Sequence, residues 1–432
     1  AGFTVARVTK AVPHPNAERL KLCTVETKDG VRQIVCGAPN ARAGLWGVLA
    51  TEGLVIPASG EVLKRAVIRG VESQGMLCSW RELALGEDHA GIIELDPDGL
   101  EVGMPAARAL RIEGPVIELK LTPDRADCFG VHGIARDLAA AGLGRLKARC
   151  MAPVPSEGAP GPAIRLDFPP GDEAACPLFA GRIVRGVRNG PSPAWMRKRL
   201  EAVGLRPISA LVDITNYVML DLGRPLHVFD AAKLQGEVVL RFARAGERLQ
   251  ALDGKVYTLD PEMTVIADDT GPVSLGGLMG GERTGVTEGT TDVLLEVALF
   301  DPLRTAATGR RLEITSDART RFERGLDPAL VLPAVEHATR MILDLCGGEA
   351  GPAVVAGAVP APPGPMRFRK EQLPRLAGVT LADEEISRIL VALGFAVTGG
   401  PETYEVTPPT WRHDITSEAC IVEELARIHG YE

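Results

Sequence analysis

Apolar and polar positions alternate with a period of two through the first third of the chain. The runs LKLCTVET (residues 20–27), RQIVCGA (32–38), WGVLA (46–50) and GIIEL (91–95) show it. Such alternation predicts half-buried strands, and Lys28-Asp29-Gly30 and Pro39-Asn40 supply the turns between them. A small antiparallel barrel is the expected result. Val5, Arg7 and Val8 already read as strand with no leading Met, so the natural start of the protein is expected to lie upstream. The period then changes: PVIELKLTPDRADC is followed by VHGIARDLAAAGL, in which Ile134, Leu138 and Ala141 share one helical face.

Two Pro/Gly/Ala-rich stretches, MAPVPSEGAPGPA (151–163) and GPAVVAGAVPAPPGP (351–365), carry neither period and are expected to be linkers, at 151–165 and 351–365. They set off a central block, 166–350, and a C-terminal module, 366–432. In the block, Ser192 is the expected N-cap and Pro193 the first-turn residue of a helix. Trp195, Arg199, Leu200 and Val203 follow at helical spacing, and Gly204 stops it. Asp253-Gly254 turns between β-prone arms, and TVIADDTGPVSLGG reads as a second hairpin. In the module, Thr380 and Asp383 suggest a capping box. Ile386, Ile389, Leu390 and Leu393 form one apolar stripe, ended by Gly394. The fold class expected is a multidomain α+β protein.

Composition narrows the function. The chain is 45% hydrophobic and only 4% aromatic, so its cores are aliphatic and a binder that stacks single-stranded bases is disfavoured. A net charge of -8 means that any nucleic-acid role rests on local basic patches and shape. The eight cysteines (Cys23, Cys36, Cys78, Cys128, Cys150, Cys176, Cys346, Cys420) form no CxxC pair and no zinc-spaced cluster, as expected of reduced thiols that mostly fill cores. Every apolar run is interrupted too early to span a bilayer, so a cytoplasmic protein without membrane contact is expected.

Eight segments occur in order: HPNAERL, QIVCGAPNARAG, RGVESQGMLCS, LTPDRADCFGVHGIARDLA, VDITNYVMLDLGRPLHVFD, GGLMGGERTGVTEGTTDVLLEVALF, SDARTRFERGLDP and EELARIHGYE. Together they resemble the bacterial phenylalanyl-tRNA synthetase beta-subunit family over essentially the whole chain. The resemblance implies an oligonucleotide-binding (OB-fold) barrel for tRNA at 1–113, part of a split flanking domain at 114–150, a mixed α/β editing domain at 166–350, and a small winged, DNA-binding-like α+β module at 366–432. It implies a fragment without the family's first segment and without its catalytic-like and anticodon-binding domains. It further implies an alpha-subunit partner in a heterotetramer, tRNA(Phe) as ligand, ATP used by the alpha subunit, and Mg2+ shared with it. Two functions follow: hydrolytic editing of mischarged Tyr-tRNA(Phe) that supports charging by the alpha subunit, or, as the alternative, a non-catalytic module for tRNA binding and subunit assembly.

The resemblance also assigns residues. Glu296, the one acid inside the apolar run LLEVALF, matches the glutamate that reads the tyrosine hydroxyl; an exposed strand acid is the competing explanation. Thr215, Asn216 and His227 match residues at the ester end, although taken alone such a histidine is more often structural and such Thr and Asn residues are more often turn or capping residues. Gly276 and Gly277 suit close backbone approach to a ligand or a tight hairpin, and Ser316 and Ala318 match pocket-lining positions. His14, Arg19, Lys21 and Arg65 are the candidate RNA contacts, with Lys64 and Arg69 adding charge. Asp414, Glu423 and Glu424 match magnesium ligands, but Cys420 stands where the family has aspartate, and a thiol is a poor partner for so hard a cation. Ser209-Ala210 and Asp124 are further departures from the family pattern. The alternating charges Arg319, Arg321, Glu323, Arg324 and Asp327 are expected to be a structural ion-pair network.

Overall fold

The computed structural model describes residues 2–86, 88–110, 112, 116–149 and 151–431. Cys150 lies outside the described residues. The chain divides into two compact units, Ala1–Ile117 and Glu118–Glu432.

The first unit bears out the period-two reading. Strands β1 (Thr4–His14), β2 (Ala17–Thr27), β3 (Gly30–Cys36), β4 (Trp46–Ala50), β5 (Ala66–Ile68), β6 (Val71–Ser73) and β7 (Met76–Leu77) are followed by the short helix α1 (Ala106–Ala109). Five of the strands form one antiparallel sheet in the order β3-β2-β1-β4-β7, and β5 and β6 form a hairpin. Alternate residues Ala6, Val8, Cys23, Val25, Ile34 and Leu49 fill its core. The sheet curls, and Gln74 N–H donates to the Gln33 carbonyl on β3 at 2.9 Å, so the sheet makes half a barrel. The expected strand GIIEL is irregular instead. Ile93 N–H donates to Cys78 O and Leu95 N–H to Trp46 O, two single bonds to different segments rather than one ladder.

The second unit opens with helix α2 (Val131–Ala140), followed by β8 (Ile164–Asp167), β9 (Leu178–Arg185), α3 (Ala194–Ala202), α4 (Ala210–Leu222), β10 (His227–Asp230), β11 (Val238–Phe242), β12 (Arg248–Gln250) and β13 (Val256–Thr258). It continues through β14 (Thr264–Asp268), β15 (Gly271–Leu275), β16 (Met279–Gly280), β17 (Asp292–Leu299), α5 (Pro302–Arg311), α6 (Asp317–Phe322), α7 (Val331–Cys346) and β18 (Glu349–Gly357). The last elements are β19 (Met366–Arg369), α8 (Gln372–Ala377), α9 (Asp383–Ala392), β20 (Ala396–Gly399), β21 (Thr403–Thr407) and α10 (Glu418–His429).

Two sheets organise the centre of this unit, one in the order β10-β17-β9-β18 and one in the order β16-β15-β14-β11-β8. Both expected hairpins are present, β12–β13 around Asp253-Gly254 and β14–β15. Strand β17 is covered on both faces. Val293, Leu295, Val297 and Leu299 pack with α4 and α7 residues such as Leu211, Ile214, Val218, Val335 and Ala338. Leu294 and Ala298 point the other way, into a core with Phe229, Leu240 and Ile266 between the two sheets. Glu296 shares that second face by alternation. The C-terminal sheet, β19-β21-β20, packs on α9 and α10, whose buried positions include the expected Ile386, Ile389, Leu390 and Leu393.

Several local expectations are corrected. The stretch 351–365 is not all linker: its first part is the edge strand β18, paired along β9. Gly351 gives the reason, since a Cβ there would lie 2.4 Å from Ala159 O and 2.6 Å from Ile183 Cγ2. The stretch 151–165 is pinned as well, because the buried guanidinium of Arg182 donates to the carbonyls of Val154 (2.8 Å) and Pro155 (3.3 Å), and also to Gly351 O and Glu336. Pro193, not Ser192, caps α3; the Ser192 hydroxyl donates to Asp213 at 2.5 Å. Asp383 forms no capping box, because its carboxylate accepts from Lys370 and Tyr404. Helix α2 buries Gly133 and Ala140 and leaves Leu138 exposed. A Cβ on Gly133 would lie 1.8 Å from Asp127 O, so close backbone approach selects the small-residue face.

Candidate functional site

His227 on β10 stands opposite Glu296 on β17, and Gly181 on β9 flanks Glu296 from the other side. The three residues point to the same face of the sheet, and the space a Cβ on Gly181 would take is filled by Ile164, whose Cδ1 would lie 2.5 Å from it. Glu296 is 6% exposed, and its Oε2 has no hydrogen-bond partner; the same is true of the buried Nε2 of His227. Burial pushes the Glu296 carboxyl up to about 8, against the lowering field of Arg224. Burial draws His227 down to about 4. Both groups are therefore predominantly neutral near pH 7. Glu296 is thus not the exposed strand acid that the sequence left open.

A cavity of about 80 Å3 joins these two groups, and Gly277, Met279, Ala318 and Phe322 are among its other walls. Gly277 adopts φ +71°, and a Cβ on Gly276 would lie 2.7 Å from the Phe300 ring, so this hairpin needs both glycines for conformation and packing. Ser316 caps α6 by accepting from Arg319 N–H and donates to Leu278 O at 3.1 Å, which ties the helix to the glycine loop. It acts on the cavity through the loop and is not part of its lining. Thr215 and Asn216 lie on α4, also outside the lining, and the Thr215 hydroxyl donates to Val212 O within its own helix.

Arg224 was not singled out from the sequence, although a lone cation in GRPLHVF three residues before His227 is the available signal. It is 1% exposed, and one of its nitrogens donates to Ala298 O on β17. Its Nε and Nη1 have no partner. Burial draws the guanidinium down to about 10, against the opposing fields of Asp327 and Glu296. Ser274 and Gly280 also line the cavity and were missed; the Ser274 hydroxyl donates to Met279 O at 3.1 Å. Of the alternating charges, Arg319 and Arg324 both pair with Glu323 at 3.0 Å and Arg321 with Asp317 at 3.3 Å. Asp327 departs from that network and accepts from Ala329 N–H. The described cysteines are free, and all except Cys420 are buried.

On the first unit the four RNA candidates separate into two kinds. His14 is buried, with Nε2 at 3.1 Å from Ile68 O and Nδ1 accepting from Asn16 N–H; Asn16 in turn donates to Arg69 O. The HPN segment thus clamps the β5–β6 hairpin. Lys21 donates to Pro39 O (2.9 Å) and Ala41 O (2.7 Å), holding a loop. Arg65 is exposed and pairs weakly with Glu52 and Glu72, at 3.5 and 3.3 Å. Arg19 is exposed, as are Lys64 and Arg69.

The magnesium candidates are not gathered into one site. Arg412 binds Asp414 through two bonds, at 2.9 and 2.7 Å, and Glu424 through one at 2.5 Å. Burial raises the Glu424 carboxyl, but Arg412 and Arg427 outweigh it and hold the group down at about 2. Glu423 is exposed. A cation here would have to displace guanidinium groups, so these residues do not fit a magnesium site within this chain. Among the described residues the one close cluster of potential ligands is Asp127, Cys128 and Asp137, which Arg125 bridges.

Residues 3–105 match the tRNA binding domain family, 175–347 the B3/4 domain and 366–431 the tRNA synthetase B5 domain. This series, on the fold described, defines a multidomain α+β protein that combines a tRNA binding domain with B3/4 and tRNA synthetase B5 domains. The chain is 56% identical over its full length to a phenylalanine--tRNA ligase beta subunit of Paramagnetospirillum magneticum, and 54% identical to one of Rhodospirillum rubrum. The chain belongs to the phenylalanine--tRNA ligase beta subunit family, and it spans 54% of the length of these two relatives. An N-terminal fragment of the phenylalanyl-tRNA synthetase beta-subunit from Pyrococcus horikoshii is similar at 17% identity and a TM-score of 0.37, over 72% of this chain and 85% of that one, which is too slight to bear on the fold. No helix among the described residues is long and apolar enough to cross a membrane.

Proposed function

We propose that the chain holds tRNA(Phe) on its first unit and hydrolyses mischarged tyrosine in the cavity between β10, β17 and the glycine loop. In this reading it works with an alpha subunit, as a heterotetramer, that carries out ATP-dependent charging. The carrying observation is that one small cavity is lined by two groups with buried, unpartnered polar atoms, Glu296 Oε2 and His227 Nε2.

An apolar pocket distinguishes phenylalanine from tyrosine only by roughly a hundredfold. A buried carboxyl reverses the preference. Neutral Glu296 offers a carbonyl oxygen to the phenolic O–H and its own O–H to the phenolic oxygen, whereas phenylalanine leaves both unsatisfied at about 1–3 kcal/mol. Met279, unbranched and adaptable, is the wall suited to yield to an entering ring. Neutral His227 accepts a hydrogen bond from a water, whose oxygen attacks the ester carbonyl. The bond to the terminal ribose oxygen then breaks and that oxygen takes up the proton. A positioned water is favoured over a covalent route because the hydroxyl lining the cavity, Ser274, is already committed to Met279 O.

The test is hydrolysis of Tyr-tRNA(Phe) and Phe-tRNA(Phe) by the wild type and Glu296→Ala. The expected result is at least a tenfold loss of preference for the tyrosyl ester. Unchanged preference would remove Glu296 from the proposal. Binding of tRNA without hydrolysis by the wild type would leave the chain a binding and assembly module.

A further inference from the structure

A second and larger cavity, of about 350 Å3, lies in the second unit between α2, residues 146–149, the turn after α4, the loop 325–327 and the segment around Trp411. We propose that this cavity binds the phosphoryl group of a small molecule, as free phosphate or pyrophosphate or as part of a nucleotide.

The charges around it are unbalanced once internal pairs are removed. Arg149 is engaged by Asp221, with one bond at 2.7 Å, and Asp127 by Arg125 at 3.0 and 3.1 Å. That leaves Lys147, Arg224 and an Arg136 that pairs only loosely, with the Asp127 already bound to Arg125, facing Asp327, whose Oδ1 already accepts from Ala329 N–H. Arg136 lies 3.8 Å from Asp127.

Three side chains of the lining also hold buried nitrogens without a partner: Arg224 through Nε and Nη1, Arg136 through Nε, and His132 through Nδ1. Arg224 is the decisive one. It is 99% enclosed, it is charged, and it has two unused donors. Folded proteins leave few buried donors unpaired, and an unpaired buried cation is disfavoured most. Arg136 is held in place by its stack on Trp411, at 4.1 Å from the ring centroid, so it is presented in one orientation.

Planar guanidinium forks match phosphoryl oxygens, and a dianion would neutralise the excess of cations. The volume exceeds that of a single phosphate, which admits pyrophosphate or a nucleotide phosphate with part of its sugar. This site is distinct from the cavity at Glu296, with which it shares no lining residue.

The test is titration calorimetry of the 432-residue chain with inorganic phosphate, pyrophosphate and AMP at constant ionic strength. Arg136→Gln and Lys147→Glu are the site variants, and the exposed module variant Arg388→Gln is the control. Saturable one-to-one binding of at least one of the three is expected, weakened tenfold or more by each site variant and unchanged by the control. Tighter pyrophosphate than AMP would assign the site to free phosphate species, and the reverse order to a nucleotide. Arg224→Met, with its melting curve recorded, should abolish binding in a folded protein. Absence of saturable heat for all three ligands, or equal affinity in the wild type and both site variants, would overturn the proposal.

Discussion

His227 and Glu296 face each other across β10 and β17 as two neutral groups rather than as an ion pair. Burial acts on them in opposite directions, drawing the imidazole down to about 4 and pushing the carboxyl up to about 8. Between those values each sheds its charge to avoid desolvation. The result is an acid able to donate and an imidazole able to accept near neutral pH.

Stability should report the protonation of Glu296. Its folded value of about 8 lies above the ordinary 4.5, so the folded chain keeps a proton that the unfolded chain loses. This contribution is full below about 4.5 and is lost as the pH rises through about 8, at about 1.4 kcal/mol per unit and a few kcal/mol in all. Urea denaturation of the wild type and Glu296→Gln across that range should show the wild type losing stability relative to the variant as the pH rises. A constant difference would mean that the carboxyl is ionised throughout.

Gly280→Ala should displace the His227 ring. The added Cβ would lie 2.5 Å from its Cε1, 2.8 Å from its Nε2 and 3.0 Å from Leu252 Cδ1. Overpacking of this kind costs about 1–3 kcal/mol, and tyrosyl-ester hydrolysis should fall by roughly tenfold or more, as misplaced catalytic groups do. Hydrolysis at the wild-type rate in the folded variant would show that His227 need not be held where it is.

Arg182→Ala should be among the most damaging single changes in the second unit. The side chain is 1% exposed and binds Gly351 O, Glu336, Val154 O, Pro155 O and Ser156. Its removal leaves Glu336 with the Val154 N–H but no cation, and several carbonyls without their donor, at about 3–5 kcal/mol. Limited proteolysis should then cut within 151–160, whereas the wild type should resist.

Lys21 and Arg19 should separate stability from binding. Lys21→Ala removes two bonds to loop carbonyls and should lower the melting temperature. Exposed Arg19, changed to Ala, should leave the melting temperature unaltered and reduce the salt dependence of tRNA binding by about one unit of slope. A loss of stability in Arg19→Ala, with no change in salt slope, would reverse the assignment.

Much of the fold was legible because neighbour spacing encodes it. Period-two runs became β2, β3 and β4; Asp253-Gly254 became a hairpin; and the stripe Ile386, Ile389, Leu390, Leu393 became the buried face of α9. Errors arose where a distant contact outweighed the local signal. Asp213 took Ser192 from its capping role, Lys370 and Tyr404 took Asp383, and Asp127 O selected the small-residue face of α2. Strand β18 was missed because its Gly/Pro-rich sequence lacks strand propensity and is ordered by pairing with β9 and by the Arg182 guanidinium.

By itself the sequence determined the strands β2, β3 and β4, the buried stripe of α9, the family to which the chain belongs, and one acid out of place in an apolar run. Only the tertiary structure decided that this acid is enclosed on both sides of its sheet, opposite His227 and near an unsatisfied Arg224, and that Lys21, Asp414 and Glu424 are already engaged. The physical reason is one of range. Periodicity and turn chemistry act between residues a few positions apart, whereas desolvation and charge pairing depend on which atoms from remote segments displace the water.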